Sequence, residues 1–249
     1  MNCKYKTPEE LIGVEFEESG QTYKITGIGE TTEKFMTLFT EKLKAPNIIN
    51  WNGKLLIDIG HGGTKALSSG KKVTDYGAVN SASGMSEFIW NKDFIENYLV
   101  PELNNAGIKH QIVLRTDGTT KLVQDLNKAA EKDDIILSFH LNSAGATATG
   151  TETLYWHTSA KGKKLAEIVQ KGLTGVLGLP DRGIKIRRKP LNDADALNQR
   201  GWTMFRDTKV PFVMLESFFI SNNKDLQIGT QRKAELARAV ITAIKEYIK

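Results

Sequence analysis

From Lys54 onward, short apolar runs alternate with stretches of helical periodicity, and this alternation restricts the fold more than any other feature. It is typical of a layered α/β domain, because strands that run parallel need a crossover helix between them. We predict strands at residues 55–59, 111–115, 135–139, 152–156, 184–187 and 211–215. Helices are predicted at residues 87–105, 120–131, 161–177 and 231–248, the first with Ser86 as its N-cap. The expected fold is α/β, with a mostly parallel mixed β-sheet of about six strands flanked by helices.

Residues 1–45 have a different pattern and are predicted to form a small N-terminal appendage, leaving 46–249 as the main domain. Short strands are predicted at residues 14–16 and 22–28 around a Ser-Gly turn, followed by an amphipathic helix at 32–43. So few residues cannot build a rich core alone, so we expect the appendage to be packed on or tethered to the main domain. Its role is left open.

The composition is that of an ordinary globular protein, since 40% of the 249 residues are hydrophobic and 25% are charged. The net charge of +5 is spread along the chain without a basic block, so no nucleic-acid partner is predicted. The start of the chain has no continuous apolar run, and no later stretch is long and apolar enough to span a bilayer. We therefore expect neither a signal peptide nor membrane insertion, while the oligomeric state is left open.

The carboxyl ends of three predicted strands carry side chains that suit metal chemistry. His61 follows the first strand within a Gly-His-Gly-Gly segment, His140 follows the third strand and Glu216 follows the sixth. In open α/β sheets the functional crevice lies at the carboxyl ends of the strands, so we expect these side chains at one edge. Two histidines held by rigid strand ends favour a tetrahedral zinc ion.

Glu87, at the start of a predicted helix, is the candidate third ligand, because the Gly- and Ser-rich loop at 77–86 can fold the helix start over the strand ends. Two histidines, one carboxylate and an open fourth position form a known catalytic zinc arrangement. Glu216 would then be free to act as general base and acid, taking a proton from a zinc-activated water and passing it to a leaving nitrogen.

Each of these residues also has a plainer interpretation. Taken alone, His61 is more typical of a turn, and its loop lacks the spacing and the Lys-Ser pair of a phosphate-binding loop. His140 could cap a strand, and Glu87 could be a favourable acid in the first turn of a helix. Glu216 follows four apolar residues, and a buried carboxylate is costly unless it is paired or functional. The prediction rests on the coincidence of all four.

Other polar residues are assigned lesser roles. His110 opens a strand at the amino-terminal edge and is expected to be structural, whereas His157 follows a strand end and is a second-choice ligand that could line the cleft. The basic run at 185–189 is predicted to be a solvated strand face. The segment 189–206 could be a lid, a groove wall or a surface insertion, and we favour the insertion.

From Lys54 to the C-terminus the chain contains a series of ordered motifs: DIGHGG at 58–63, Glu87 with Asn91, SFHLN at 138–142, DRGIK at 181–185 and LESFFISN at 215–222. With these motifs the chain resembles the zinc-dependent N-acetylmuramoyl-L-alanine amidases of the Amidase_3 type, which occur among bacterial autolysins and phage endolysins. Several motifs in the family's order form a far more specific signal than any one of them.

The resemblance implies one Zn²⁺ per chain, held by His61, Glu87 and His140, with Glu216 as the catalytic acid and base. It also implies substrate-facing or supporting roles for three further residues, Asn91, Asn142 and Arg182. Two positions depart from the family pattern: Ile59 stands where proline or a small residue is usual, and Phe218 stands where glycine is usual. Both are expected to alter loop shape or substrate fit without removing a ligand.

The predicted function is hydrolysis of the amide bond between N-acetylmuramic acid and L-alanine in peptidoglycan. The alternatives are a zinc peptidase that cuts within the stem peptide and a non-catalytic, wall-binding phage component. Peptidoglycan is the expected partner, and the net charge permits anionic cell-wall polymers as a second one. Without a signal peptide, we expect synthesis in the cytoplasm and action on the wall, either after release through a membrane lesion or as a virion-associated enzyme.

Overall fold

The computed structural model describes residues 15–18, 21–28, 38–42, 51–66 and 69–249. The chain divides into two compact units, Met1–Ile48 and Ile49–Lys249. The predicted Ser-Gly turn at 19–20 lies outside the described residues. The role of the first unit as an appendage stays a prediction.

The first unit contains a three-stranded antiparallel sheet in the order β1-β2-β3, formed by Glu15–Glu18, Gln21–Ile28 and Leu38–Lys42. The first two strands confirm the strands predicted here. The helix predicted over 32–43 is wrong for residues 38–42, which form β3 and pair with β2. Phe39 and Thr40 favour strands over helices, and pairing with a neighbouring strand outweighs the apparent helical spacing.

The second unit is built on a six-stranded sheet in the order β10-β9-β11-β8-β4-β7. These strands are β4 (Leu55–Asp58), β7 (His110–Ile112), β8 (Ile135–Asn142), β9 (Thr151–Trp156), β10 (Asp181–Arg187) and β11 (Phe212–Phe219). Each contains a predicted strand or overlaps one. β7, β4, β8 and β11 run parallel, whereas β9 is antiparallel to β11 and β10 is parallel to β9. A small hairpin, β5 (Thr64–Ala66) and β6 (Lys72–Thr74), follows β4.

Helices cover both faces of this sheet. They are α1 (Glu87–Phe94), α2 (Val100–Asn105), α3 (Thr119–Ala129), α4 (Ala160–Leu177), α5 (Asp193–Ala196), α6 (Trp202–Asp207), α7 (Asn223–Gln231) and α8 (Lys233–Tyr247). Successive strand residues point to opposite faces, so the sheet contributes side chains to two hydrophobic cores, one on each face. The larger core contains buried residues of α1, α2, α4 and α8, and the smaller core contains those of α3 and α6.

The helix that carries Glu87 begins as predicted at Ser86, whose hydroxyl accepts a hydrogen bond from the backbone N–H of Ile89 at 3.3 Å. It continues through a π-helical turn at Ile95–Leu99 into α2. Pro101 has no N–H to donate in the next turn, and such irregular turns adapt a helix to a missing bond. The predicted span of 87–105 is therefore one continuous helical segment.

The segment 189–206 is folded rather than merely inserted. Within α6, Met204 and Phe205 are buried and belong to the smaller core, so our preference for a surface insertion is wrong for that part. Leu191 and Leu197 are 79% and 65% exposed, which places the earlier part of the segment at the surface. Across the described residues, no helix is long and apolar enough to cross a bilayer.

Candidate metal centre

His61, Glu87 and His140 come together at the carboxyl edge of the sheet, where their candidate ligand atoms all lie within 4.8 Å of one another. Nε2 of His61 is 3.2 Å from Oε2 of Glu87, and Nδ1 of His140 is 2.9 Å from Oε1 of the same carboxylate. Zinc bonds of about 2.0–2.1 Å at a tetrahedral angle would separate ligand atoms by about 3.3 Å. The donor types fit a zinc ion, and the two distances from the histidines to the carboxylate of Glu87 are close to this separation.

The imidazole of His61 is oriented by a contact at Nδ1, the ring nitrogen that does not face Glu87. Its Nδ1 lies 2.9 Å from Oδ2 of Asp75, and the guanidinium of Arg115 binds the same carboxylate oxygen. This leaves Nε2 directed at Glu87, and a carboxylate behind a histidine is the usual support of a metal ligand. The backbone of His61 has φ of +59°, a left-handed conformation that costs about 1–2 kcal/mol for a non-glycine residue.

Both carboxylate oxygens of Glu87 accept backbone hydrogen bonds. Oε1 accepts from the N–H of Leu141 at 3.0 Å, and Oε2 accepts from the N–H of Ala78 at 3.1 Å. Burial alone would raise the pKa of Glu87, but hydrogen bonds with His140 and His61 outweigh burial and lower the pKa below its ordinary value. Glu87 is therefore a buried, fixed anion.

Two glycines leave the space that the cluster occupies. A Cβ on Gly77 would lie 2.6 Å from Oε2 of Glu87 and 2.7 Å from the ring of His61, and one on Gly60 would lie 2.9 Å from the ring of His140. Both glycines also have positive φ, at +72° and +64°. Any other residue here would be strained and would push a ligand out of place.

The cluster favours positive charge at its centre. Burial lowers the pKa of His140, but the hydrogen bond with Glu87 and the charges of Glu87, Glu216 and Asp58 raise it to about 9. The same negative field that holds a proton on this imidazole would stabilise a metal cation in its place.

Glu216 lies beside the cluster without belonging to it. In the sheet register it pairs with His140 on β8 and with Glu152 on β9. Burial raises the pKa of Glu216 to about 8, and the charges of Glu87 and Glu152 add to this rise. Its Oε2 is buried and has no hydrogen-bond partner among the described residues. Such a carboxyl group can hold or release a proton near neutral pH.

Glu152 is a site residue that the sequence reasoning missed. Its carboxylate accepts hydrogen bonds from Nδ2 of Asn142 at 2.9 Å and from Nε of Arg182 at 2.7 Å. It reaches this edge because β9 is antiparallel to β11, which brings the start of β9, not its end, to the site. The available signal in the sequence was an acidic residue at the start of the strand predicted at 152–156.

The three supporting residues have distinct positions. Asn91 is buried and donates from Nδ2 to the backbone carbonyl of Phe139 at 3.0 Å, so it braces β8 next to His140. Asn142 and Arg182 both bind Glu152, as described above, and the guanidinium of Arg182 also lies 4.9 Å from the ring centre of Phe219.

The other histidines lie elsewhere. His110 begins β7, with its ring 3.0 Å from the carbonyl of Ile108, at the amino-terminal edge as expected. The suggestion that His157 lines the cleft is wrong, because β9 runs antiparallel and its last residue, Trp156, lies at the far edge of the sheet. The prediction that His157 is a second-choice metal ligand is wrong for the same reason.

Two further expectations change. Ile59 and Phe218 are fully buried in the larger core, and Phe218 packs edge-on against Trp90 at 4.9 Å, so neither can contact substrate. The basic run at 185–189 is not a uniformly solvated face either. Lys185 and Arg187 are half-buried, and Nε of Arg187 is buried without a partner in the described part of the chain.

A family model described as N-acetylmuramoyl-L-alanine amidase matches residues 55–246. The amidase LytC of Bacillus subtilis is 29% identical over 198 residues, which cover 78% of this chain and 34% of LytC. An uncharacterized cell wall amidase of Bacillus anthracis is 27% identical over 245 residues, 93% of this chain and 42% of that protein. This chain thus spans a third to under a half of the length of these two relatives.

The fold has solved counterparts. The crystal structure of an N-acetylmuramoyl-L-alanine amidase from Clostridium difficile 630 superimposes with a TM-score of 0.61 and 25% sequence identity. The match covers 78% of this chain and 96% of that structure.

Proposed function

Because the chain belongs to the N-acetylmuramoyl-L-alanine amidase family, we propose that it hydrolyses the amide bond between N-acetylmuramic acid and L-alanine in peptidoglycan. One observation carries this proposal: three candidate ligand side chains meet beside the buried carboxyl group of Glu216, one oxygen of which has no hydrogen-bond partner among the described residues. Amide hydrolysis needs an electrophilic centre and a proton carrier next to it, and this arrangement offers both.

We propose that the electrophile is one Zn²⁺, held by Nε2 of His61, the carboxylate of Glu87 and Nδ1 of His140. When bound, zinc supplies Lewis acidity that polarises a carbonyl and lowers the pKa of water from about 15.7 towards about 7. Asp75 fixes the ring of His61, and the N–H groups of Ala78 and Leu141 fix the carboxylate of Glu87. The ligands would therefore be oriented before the metal arrives.

Glu216 is proposed to carry the proton. Its carboxylate would take a proton from the attacking water and deliver it to the nitrogen of L-alanine as the C–N bond breaks. The products are the free lactyl carboxylate on the glycan and a free amine on the stem peptide. The raised pKa of Glu216 suits both halves of this transfer near neutral pH. Glu152 would keep Asn142 and Arg182 placed beside it.

The proposed place of action is the cell wall, where peptidoglycan lies. Anionic wall polymers as a second partner, release through a membrane lesion, attachment to a virion and a part in phage lysis all stay predictions from the sequence.

The test is to identify the products that the full chain, loaded with zinc, releases from purified peptidoglycan. Mass spectrometry should find stem peptides with a free amino group on L-alanine and glycan strands with free lactyl groups. New amines within the stem peptide would point instead to a zinc peptidase. Wall that stays intact would point to a non-catalytic component. The Glu216→Gln protein, treated in the same way, serves as the blank.

A further inference from the structure

Exposed apolar side chains collect around Glu87. Among the described residues, the large hydrophobic side chains that face solvent include Tyr76, Val79 and Ile89, all in the segment that carries this candidate ligand. Tyr76 is 47% exposed, and its ring centre lies 6.4 Å from that of Phe88. Single exposed apolar side chains are ordinary, but a patch of them beside a candidate site indicates a contact surface.

The metal cluster fixes the backbone on both sides of Tyr76. On one side, the carboxylate of Asp75 lies 2.9 Å from Nδ1 of His61. On the other side, a Cβ added to Gly77 would lie only 2.6 Å from Oε2 of Glu87. The ring of Tyr76 therefore extends from a backbone position that is set relative to two of the three candidate ligands.

Phe88 places a second ring beside Tyr76 and close to His61. The N–H of Phe88 donates a hydrogen bond to the carbonyl of Tyr76 at 3.1 Å. The ring of Phe88 fills the space beside Gly62, the residue after His61, where an added Cβ would lie 2.3 Å from it. Phe88 is half-buried and packs against the larger core. Tyr76 and Phe88, the aromatic pair, thus form an ordered apolar surface next to the metal cluster.

The aromatic pair and the proton carrier lie on opposite sides of this cluster. Glu216 lies on β11, and His61 follows β4, with β8 between these two strands. Asp75 binds the ring of His61 and the guanidinium of Arg115, which follows the outermost strand, β7. Tyr76 is the next residue, so it lies on the β4 and β7 side of the cluster, away from Glu216.

This placement assigns a half of the substrate to each side. If Glu216 protonates the nitrogen of L-alanine, the stem peptide lies on the Glu216 side. The two substituents of a trans amide point away from each other, so the lactyl group extends towards Tyr76. The lactyl ether is short and keeps the sugar ring within about 5 Å of the scissile carbonyl. The sugar therefore lies over the residues directly beside the cluster.

The chemistry of the two surfaces is complementary. One face of a pyranose ring presents C–H groups, which pack on an aromatic ring, whereas its hydroxyl and acetamido groups project from the edge. The phenol group of Tyr76 can donate a hydrogen bond to such an edge group or accept one from it. A tyrosine provides both contacts at a small cost in side-chain entropy.

We propose that the aromatic pair binds the sugar ring of N-acetylmuramic acid, with Tyr76 in direct contact, and so makes the protein prefer peptides joined to the sugar over peptides that lack it. The inference rests on the proposed function. It names the residue that recognises the acyl half of the substrate.

The test compares two substrates with the same scissile amide and the same stem peptide. One carries N-acetylmuramic acid, and the other carries lactic acid alone in its place. We expect the zinc-loaded full chain to show a KM about 10-fold lower for the substrate with the sugar. Tyr76→Ala should raise this KM to about that of the lactyl peptide, whereas Tyr76→Phe, which keeps the ring, should retain most of the preference.

Tyr98→Ala is the matched control, because Tyr98 is also an exposed tyrosine but its ring lies beside Lys233, 5.6 Å from the ammonium nitrogen. It should keep the wild-type preference. Equal KM values for the two substrates in the wild-type chain would overturn the proposal, as would a preference that persists in Tyr76→Ala. Loss of zinc from Tyr76→Ala, measured by elemental analysis, would show that Tyr76 supports the metal ligands instead.

Binding separates this inference from the proposed function. Calorimetry of the two compounds with zinc-loaded Glu216→Gln, and with Glu216→Gln combined with Tyr76→Ala, needs no turnover. Tighter binding of the sugar-linked peptide to the first protein, lost in the second, supports the role of Tyr76 even if the wild-type chain cuts neither compound. Equal binding of both compounds to the first protein contradicts that role even if the amidase activity is found. An equal loss of both in the second protein would place the peptide, not the sugar, on Tyr76.

Discussion

The metal flank of the site, formed by His61, Glu87 and His140, differs from the reaction flank, formed by Glu216 and Glu152, in how fully its polar atoms are partnered. Both oxygens of Glu87 accept hydrogen bonds, and both rings have a carboxylate partner. On the reaction flank, Oε2 of Glu216 is buried and has no hydrogen-bond partner among the described residues. Ligands whose hydrogen bonds are all made suit a fixed cation site, whereas a carboxyl oxygen without a hydrogen-bond partner suits a group that meets a substrate.

Strand direction accounts for part of this difference. The two histidines of the metal flank lie at the carboxyl ends of β4 and β8, which are parallel neighbours in the sheet. The reaction flank includes the first residues of β9, which runs the other way. Two edges of opposite polarity therefore meet at Glu216.

The largest expected effect comes from breaking the metal flank. His140→Ala should remove bound zinc and, with it, several kcal/mol of transition-state stabilisation, so activity should fall by about a thousandfold or more. Elemental analysis and wall lysis measure the two losses. His110→Ala, at the opposite edge of the sheet, is the control and should keep both; stoichiometric zinc in His140→Ala would refute the ligand role.

A methyl group at Gly77 should damage the metal flank without removing any ligand. Gly77→Ala brings a Cβ to 2.6 Å from Oε2 of Glu87 at a φ of +72°, so we expect lower zinc affinity and about 1–3 kcal/mol less stability. Gly84 has the same φ with nothing within 4 Å of its Cβ. Gly84→Ala should therefore show the backbone penalty alone, and equal zinc affinity in the two variants would argue against the tight cradle.

The support behind His61 gives a smaller effect. Asp75→Asn weakens the hold on Nδ1, and we expect zinc affinity to fall by about 10–100-fold while the protein stays folded. Competition with a chelator measures the affinity. Asp93→Asn removes a carboxylate that binds Lys233 away from the site and should leave the affinity unchanged. Identical affinities in wild type and Asp75→Asn would show that this contact does not orient the ligand.

The reaction flank should appear in the pH dependence of stability of the metal-free protein. Folding raises the pKa of Glu216 from its ordinary 4.5 to about 8, so the folded state favours the protonated form. This stabilisation is complete below about pH 4.5 and is lost as the pH rises through about 8. Glu216→Gln cannot ionise, so its stability relative to wild type should grow from pH 5 to pH 8 by up to a few kcal/mol. A difference that stays constant in urea unfolding across this range would contradict the raised pKa.

The same contrast explains how much could be predicted from sequence. The metal flank could be predicted from local patterns, because a histidine that follows an apolar strand of a parallel sheet lies at the carboxyl edge of that sheet. The reaction flank depends on the direction of β9. No local pattern encodes this direction, because the residue pattern of a strand is the same whether it runs parallel or antiparallel to its neighbour. Glu152 was missed and His157 was misplaced for this one reason.

Elsewhere, the errors came from tertiary structure. Residues 38–42 pair with β2 instead of forming a helix, and Phe205 in the segment 189–206 fills a core that hydrophobic spacing alone did not reveal. Phe218 could not be recognised as a core residue from its neighbours, because the catalytic candidate Glu216 lies only two positions before it and faces the same side of an ideal strand. A shift in register between Glu216 and Phe219 breaks that alternation.

The measurement that tests the division into two flanks most directly is the zinc content of Glu216→Gln set against its amidase activity. If Glu216 carries the proton but does not bind the metal, the variant should hold about one zinc per chain, and its activity should fall by about 10²–10⁴-fold. Loss of zinc together with activity would place Glu216 among the ligands. Full activity with zinc retained would remove it from the reaction.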